Sequence, residues 1–314
     1  MRHIIGVDLG GTNLRAAMVR AEDGVILAEH RVRTEAEAGP DVVIGQILAV
    51  IGLARAALPA NGELVGIGIG SPGPLDPFAG VVIYMPNLVG WTNIPLRQIL
   101  ESQTGLPVEL GNDANAAAVG EWIYGAGRGL HNLVYVTVST GIGGGVIADG
   151  KLVLGRKGSA TEVGHHIMDW ATRESWEDLA AGPGLARAAA RAMAADAGTL
   201  LHTMTTVDHV SSTHVALAAA QGDTVAQHLM QREGELIGVG LVNMLFLYSP
   251  DLIVVGGGVA MNNPTLLDTA RTVIQRDAFE VYRAVPVQLA SLGDQVGILG
   301  AVALYQHMRE GRRA

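Results

Sequence analysis

The sequence contains no cysteine, and that absence removes disulfides, thiolate nucleophiles and sulfur-bound metal centres together. Nothing therefore points to an oxidising compartment, and a cytoplasmic address is the expectation. Charge is scarce too: 16% of the 314 residues are Asp, Glu, Lys or Arg, and 21 basic against 30 acidic side chains leave a formal net charge of −9. Such a balance does not neutralise phosphate backbones or anionic lipid, so neither nucleic acid nor a membrane is an expected partner. A long apolar run is missing as well. Met1-Arg2-His3 passes directly into strand-like residues with Asp8, Gly10 and Gly11 close behind, unlike a signal peptide. The longest uncharged apolar-rich stretch, Leu236 to Pro250, is too short to span a bilayer. What the chain does have is apolar material, 49% of its residues, over a length suited to about two domains with sizeable cores.

Ile4 to Asp8 reads as a buried strand ending at a glycine turn, with two further strands at Leu14 to Val19 and Val25 to Ala28. Pro40-Asp41 opens a helix expected to run to Leu58, because Val43, Ile47, Val50, Ile51, Ala54 and Leu58 share one face. Leu64 to Ile69 and Val108 to Leu110 are strands, Pro95 to Thr104 a helix, and Asn112 precedes a helix from Asp113 to Tyr124. The second half repeats this grammar. Leu133 to Val138 is broken by Ser139-Thr140-Gly141, Gly143 to Ile147 and Lys151 to Leu154 complete a second meander, and Leu252 to Val255 meets Gly256-Gly257-Gly258. Helices are expected at Glu177 to Ala197, around Val207 to Ala220, at Thr224 to Leu247 and at Gly297 to His307. The class is α/β, built from two related halves.

Chemistry concentrates at the glycine turns. In Asp8-Leu9-Gly10-Gly11-Thr12 a carboxylate at a strand end precedes backbone that can face an oxyanion without Cβ interference, which suits a metal-bound phosphate; an ordinary hairpin turn would use the same residues. Ser139-Thr140-Gly141 repeats the device, and Gly256-Gly257-Gly258 would let a flat adenine or ribose lie against backbone. Gly68 to Gly73 satisfies the dinucleotide spacing G-x-G-x-x-G, yet Pro72, Pro74 and Pro77 forbid the helix that would receive a pyrophosphate. At Asn112-Asp113, helix capping and general-base chemistry are both open. Glu162, His165 and Glu177 supply acceptors and donors suited to a polyol. Zinc at Glu162, His165, His166 or Asp169 is disfavoured, because adjacent histidines point apart and no thiolate exists. Asp208, His209 and His214 read as solvated surface.

Taken in order, Asp8 to Thr12, Ser71-Pro72-Gly73-Pro74-Leu75-Asp76, Pro86-Asn87-Leu88, Asn112 to Ala116, Ser139 to Gly145, Glu162-x-Gly164-His165 and Gly256 to Val259 make the chain resemble the ROK family, and within it the glucokinases. The resemblance covers nearly the whole chain. It implies a two-domain, actin-like (ribonuclease H-like) ATPase fold with a hexokinase-like cleft. The small domain would comprise residues 1–114 and 299–314, and the large domain residues 115–298. It also implies phosphorylation of a hexose, glucose first, by ATP with magnesium, in a homodimer. Asp113 would be the base, and Gly73, Asn87, Asn112, Asp113, Glu162, His165 and Glu177 would bind sugar. Asp8 would hold magnesium through water, Gly10, Gly11, Thr12, Thr140 and Gly141 would hold phosphates, and Gly257 and Gly258 would border the adenosine.

Where the family carries a cysteine-rich zinc segment after E-x-G-H, this chain has the shorter stretch Ile167 to Glu177 without cysteine, so no zinc site is expected. Trp170 and Trp176 are the residues expected to pack that loop instead. Fructokinase, N-acetylhexosamine kinase and polyphosphate-using glucokinase are the alternatives within the family; the sparse lysines do not suggest a polyphosphate track. A sugar-responsive repressor or a non-catalytic sensor is the alternative of another class. With the first strand starting near residue 3 there is no room for a helix-turn-helix before it.

Overall fold

A computed structural model of the chain describes residues 1–310. Contacts divide the chain into two units. One comprises Met1–Gly129, Lys151–Thr161 and the residues from Ser291 onward; the other comprises Leu130–Gly150 and Glu162–Ala290.

In the first unit the elements are β1 (Arg2–Leu9), β2 (Asn13–Arg20), β3 (Ile26–Arg33), α1 (Pro40–Arg55), β4 (Glu63–Ser71), the small sheet β5 (Leu75–Asp76), β6 (Val81–Tyr84) and β7 (Thr92–Ile94), then α2 (Leu96–Thr104), β8 (Val108–Asn112) and α3 (Asp113–Ile123). Ile4, Ile5 and Val7 of β1 are all fully buried, as in a strand covered on both faces. The sheet order is β3-β2-β1-β4-β8, with the first three strands antiparallel and β1, β4 and β8 parallel. One face packs on α1 through Val43, Ile47, Val50 and Ile51, the stripe expected from the sequence, although the helix stops at Arg55.

The second unit contains β9 (Leu133–Val138) and β10 (Ile142–Ala148); the two-residue strand β11 (Lys151–Leu152) belongs to the first unit. Then come α4 (Trp176–Ala180), α5 (Gly182–Ala195), α6 (Leu201–Met204), α7 (Ser212–Ala220), α8 (Thr224–Tyr248), β12 (Leu252–Gly256), α9 (Gly258–Asn262), α10 (Thr265–Asp277), α11 (Glu280–Arg283) and β13 (Val287–Leu289). The chain closes in the first unit with α12 (Val296–Glu310). The order β10-β9-β12-β13 reproduces β2-β1-β4-β8, strand for strand and direction for direction. This repeat is the actin-like, ribonuclease H-like ATPase fold.

Three expectations need amendment. The helix from Glu177 to Ala197 is two helices, because Pro183 pushes its surroundings away from a continuous helix and Ala181 adopts an extended ψ of 165°. Helix α3 stays with the first unit because it packs on α12, so that unit extends past residue 114, and its C-terminal portion begins at Ser291 rather than 299. His214 is half-buried rather than solvated, and its Nδ1 closes the capping box of α7 with Ser211. His209 lies exposed, as expected.

Candidate functional site

In the first unit the parallel strands β1, β4 and β8 end on one edge of the sheet, and ligands of open α/β sheets bind beyond such C-terminal ends. Register fixes what sits there: Asp8 lies opposite Gly70, and Ser71 opposite Asn112. Beyond the strand ends lie Gly10, Gly11 and Thr12 on one side, Gly73 in the middle and Asp113 on the other. Gly73 is against Asn112, since a Cβ on it would stand 3.4 Å from the amide Nδ2. Gly11 is against Asn87, 3.0 Å from its Cβ by the same construction.

Asn112 caps helix α3. The Asn112 side-chain oxygen accepts from the Ala114 and Asn115 amides at 2.9 and 3.3 Å. The exposed Asp113 carboxylate accepts from Ala114 N–H at 2.8 Å. Two amides at the start of α3, making three bonds, thus favour oxygen and negative charge at this point of the edge.

Asp8 is engaged by Arg15, whose Nη2 and Nε donate to Oδ2 at 2.7 and 3.2 Å. A further Arg15 N–H donates to the Asp294 carbonyl at 2.8 Å. Arg15 is not among the residues singled out from the sequence, yet a signal existed: a hairpin turning at Gly10-Gly11-Thr12 pairs Asp8 with Arg15. Both arginine contacts fall on Oδ2, so one carboxylate oxygen faces away from the guanidinium. That donor set fits magnesium, which takes one or two carboxylates and keeps several waters.

In the second unit β9 and β12 end side by side, placing Ser139-Thr140-Gly141 beside Gly257-Gly258. They open on a cavity of about 750 Å³ lined by Ser139, Thr140 and Gly258, by Gly182 and Pro183 at the head of α5, and by Ser211 at the head of α7. No charged side chain lines it; hydroxyls, Asn262, Asn263 and small apolar residues do. This chemistry suits a nucleoside rather than a free phosphate. Gly141 and Gly257 flank the cavity without lining it. A Cβ on Gly141 would sit 2.5 Å from Glu177 Oε2, and one on Gly257 2.4 Å from the Val138 carbonyl. The α5 and α7 contributions were not legible as ligand-facing, since Pro183 and Ser211 fell inside stretches expected to be helical, and only the structure puts them at helix starts.

The remaining candidates gather at the first residue of β10. Glu177 Oε2 accepts from Ile142 N–H at 2.8 Å. Glu162 and His165 bracket a single 3₁₀ turn, Val163–His165, closed by His165 N–H to the Glu162 carbonyl at 3.1 Å. Gly164 between them is demanded by space: a Cβ there would lie 2.0 Å from the Ile142 carbonyl. So Ile142 touches both the turn and Glu177, and the structure brings Glu162, His165, Glu177 and Gly141 together. Glu162 and His165 are exposed, Glu177 half-buried.

The loop after His166 does not fit zinc. Asp169 Oδ1 is occupied by the Ala171 and Thr172 amides at 2.8 and 3.2 Å, which hold its carboxyl below the ordinary range, and Glu174 accepts from the Thr172 hydroxyl. Among the described residues no group of three or more His, Asp or Glu is arranged to hold a metal. Trp176 is fully buried, as expected, whereas Trp170 is 84% exposed and does not pack the loop as expected. It sits at the tip of a tight turn, where the partners available are backbone amides rather than apolar side chains.

Residues 4–308 match the ROK family. A glucokinase from Streptomyces coelicolor is 35% identical over 313 residues, covering 96% of each chain. The crystal structure of a ROK family glucokinase from Streptomyces griseus, in complex with glucose and AMPPNP, is 34% identical with a TM-score of 0.79, covering 96% of this chain and 98% of that one. A xylose repressor from Caldicellulosiruptor bescii is 27% identical over 96% of this chain and 77% of its own. Among the described residues no helix is long and apolar enough to cross a membrane.

Proposed function

Because the chain belongs to the ROK family, we propose that it transfers the γ-phosphoryl group of ATP to a hexose, glucose and its 6-hydroxyl being the first candidates. The observation that carries this reading is the Asn112-Asp113 pair at the end of β8. There a carboxylate at a helix N-terminus shares a sheet edge with Gly73, Asn87 and the Asp8-x-Gly10-Gly11-Thr12 turn. The uncharged cavity beside Thr140 and Gly258, which suits a nucleoside, supports the donor. Relatives named glucokinase support the acceptor.

Asp113 positions the attacking hydroxyl and accepts its proton late, since a loose phosphoryl-transfer transition state depends on alignment more than on base strength. Asn112, whose oxygen is spent on α3, offers its amide N–H groups to a sugar oxygen; the Gly73 backbone borders the same place, and Asn87, against Gly11, takes a further hydroxyl. Of the Glu177 carboxylate, Oε2 is occupied by Ile142, so Oε1 is the oxygen that accepts from a sugar hydroxyl. Glu162 and His165 take further hydroxyls from their exposed turn. Backbone N–H groups of Gly11 and Gly141, with the Thr12 and Thr140 hydroxyls, donate to phosphate oxygens; Gly10, whose N–H is bonded to the Asn13 carbonyl at 2.9 Å, shapes the phosphate turn that presents them, and Gly257 and Gly258 border the adenosine. Magnesium held at Asp8 through water would supply neutralisation of phosphate charge.

A coupled ADP-release assay against glucose, fructose, mannose, N-acetylglucosamine and N-acetylmannosamine, with ATP and polyphosphate compared as donors, tests the proposal. Glucose with ATP is expected to give the highest kcat/KM. Preference for another sugar would replace glucose by that acceptor, and sugar binding without turnover on either donor would overturn the kinase in favour of a sensor.

A further inference from the structure

His165 and Glu177 stand at the two ends of the loop that lacks a zinc cage, and the structure shows what joins those ends. Backbone bonds make a hairpin: Trp176 N–H donates to the His166 carbonyl at 3.0 Å, and Met168 N–H to Glu174 at 2.9 Å. Ile167 and Ser175 form a bridge between these pairs. Such a two-stranded ribbon is marginal on its own. Two side chains tie it to helix α8. The imidazole of His166 lies between the Val163 carbonyl at Nδ1 and the Asn243 amide nitrogen at Nε2, the latter at 3.2 Å. A carbonyl can only accept, so the proton is on Nδ1, and Nε2 accepts from Asn243. The same ring packs on Trp176, centroids 5.5 Å apart. Trp176 is fully buried against Gly240, one helical turn before Asn243; a Cβ on Gly240 would stand 2.0 Å from the indole.

We propose that His166, Asn243 and the Trp176–Gly240 contact form a lock by which α8 positions His165 and Glu177 for the sugar, so that hexose affinity is set by residues that do not touch it. This rests on the hexose reading of Glu162, His165 and Glu177. The ring orientation of His166 fixes the residue before it, Trp176 fixes the residue after it, and the Trp176 amide bond to His166 makes the two move as one. His166 and Asn243 are therefore positioning residues, in the way that outer ligands orient a metal-bound histidine.

The test is a double-mutant cycle of His166→Phe, which keeps a ring on Trp176 but removes both polar bonds, and Asn243→Leu. Each is read by hexose KM, ATP KM, kcat, nucleotide-free hexose binding by calorimetry, and amide exchange of residues 166–177. Each single variant is expected to raise hexose KM and Kd about tenfold with kcat and ATP KM within about threefold, and the double variant to be no worse than either single. Exchange in 166–177 should quicken while the rest of the second unit is unchanged. Additive effects, or folded variants with wild-type hexose affinity and loop exchange, would overturn the lock. Asn243→Ser provides the milder test if Asn243→Leu does not fold. Should the wild type bind no hexose, the functional reading fails by that result alone; exchange at 166–177 then decides separately whether the lock holds the loop.

Discussion

Glu233 offers a perturbation whose size can be worked out. It lies in α8 with no exposed surface, and neither carboxylate oxygen has a hydrogen-bond partner among the described residues; the nearby Arg232 Nη1 is likewise unpartnered. Burial raises the carboxyl from 4.5 to about 8, with Arg232 opposing weakly. The group is thus mostly protonated at neutral pH. A carboxyl whose folded value exceeds its unfolded one favours the fold fully below the unfolded value and loses that advantage as pH rises to the folded one. Between pH 4.5 and about 8, at 1.36 kcal/mol per pH unit, the loss is roughly 5 kcal/mol, of which about 3 is already gone at pH 7. Glu233→Gln keeps the shape and cannot ionise. It should match the wild type near pH 5 and exceed it above pH 8, with a Tm gain on the order of 10 °C for a domain of this size. Thermal denaturation of both proteins from pH 5 to 9 measures this. Parallel curves across that range would refute the argument and show that Glu233 ionises without cost.

Asp113→Asn should lower kcat by roughly 10²-fold or more with nucleotide-free hexose binding nearly intact, by calorimetry beside single-turnover kinetics; near-normal turnover would reject Asp113 as the base. Glu162→Gln and His165→Ala should mainly raise hexose KM, because hydroxyl contacts are made in ground and transition states alike; collapse of kcat at constant KM would reverse the roles. Trp176→Ala should destabilise the protein by about 3–5 kcal/mol, as buried indoles do, whereas Trp170→Ala should be nearly neutral in urea titration. Elemental analysis of the purified protein should find no stoichiometric zinc, and chelator treatment should leave nucleotide-free hexose binding unchanged.

Local signals were legible and distant ones were not. Asp8 to Thr12, the α1 stripe and the Asn112 cap each depend on residues within a turn or strand of one another, and each appears where the sequence places it. Helix α10 also carries a clear period, Leu266, Leu267, Ala270, Val273 and Ile274, which a reading anchored on glycine turns passes over. The break at Ala181 was announced by Gly182-Pro183. By contrast, nothing near Trp170 or Trp176 distinguishes them. Which one is buried depends on a glycine in α8, 64 residues from Trp176, and on a hairpin tip that leaves Trp170 exposed. The nucleoside-sized cavity is equally non-local, assembled from four separated segments of the second unit.

Asn112 has one further implication. Its oxygen is spent on two amides of α3, so toward a ligand the side chain speaks only as a donor. Retuning selectivity at this position is therefore never free of folding: Ala or Leu would silence the donor and uncap the helix, costing about 1 kcal/mol. Asp would keep the cap but present an acceptor where a donor stood. If the proposed hexose reading holds, one amide couples the robustness of a helix to the taste of a binding site, and variation in acceptor preference is better sought at Asn87, which caps no helix.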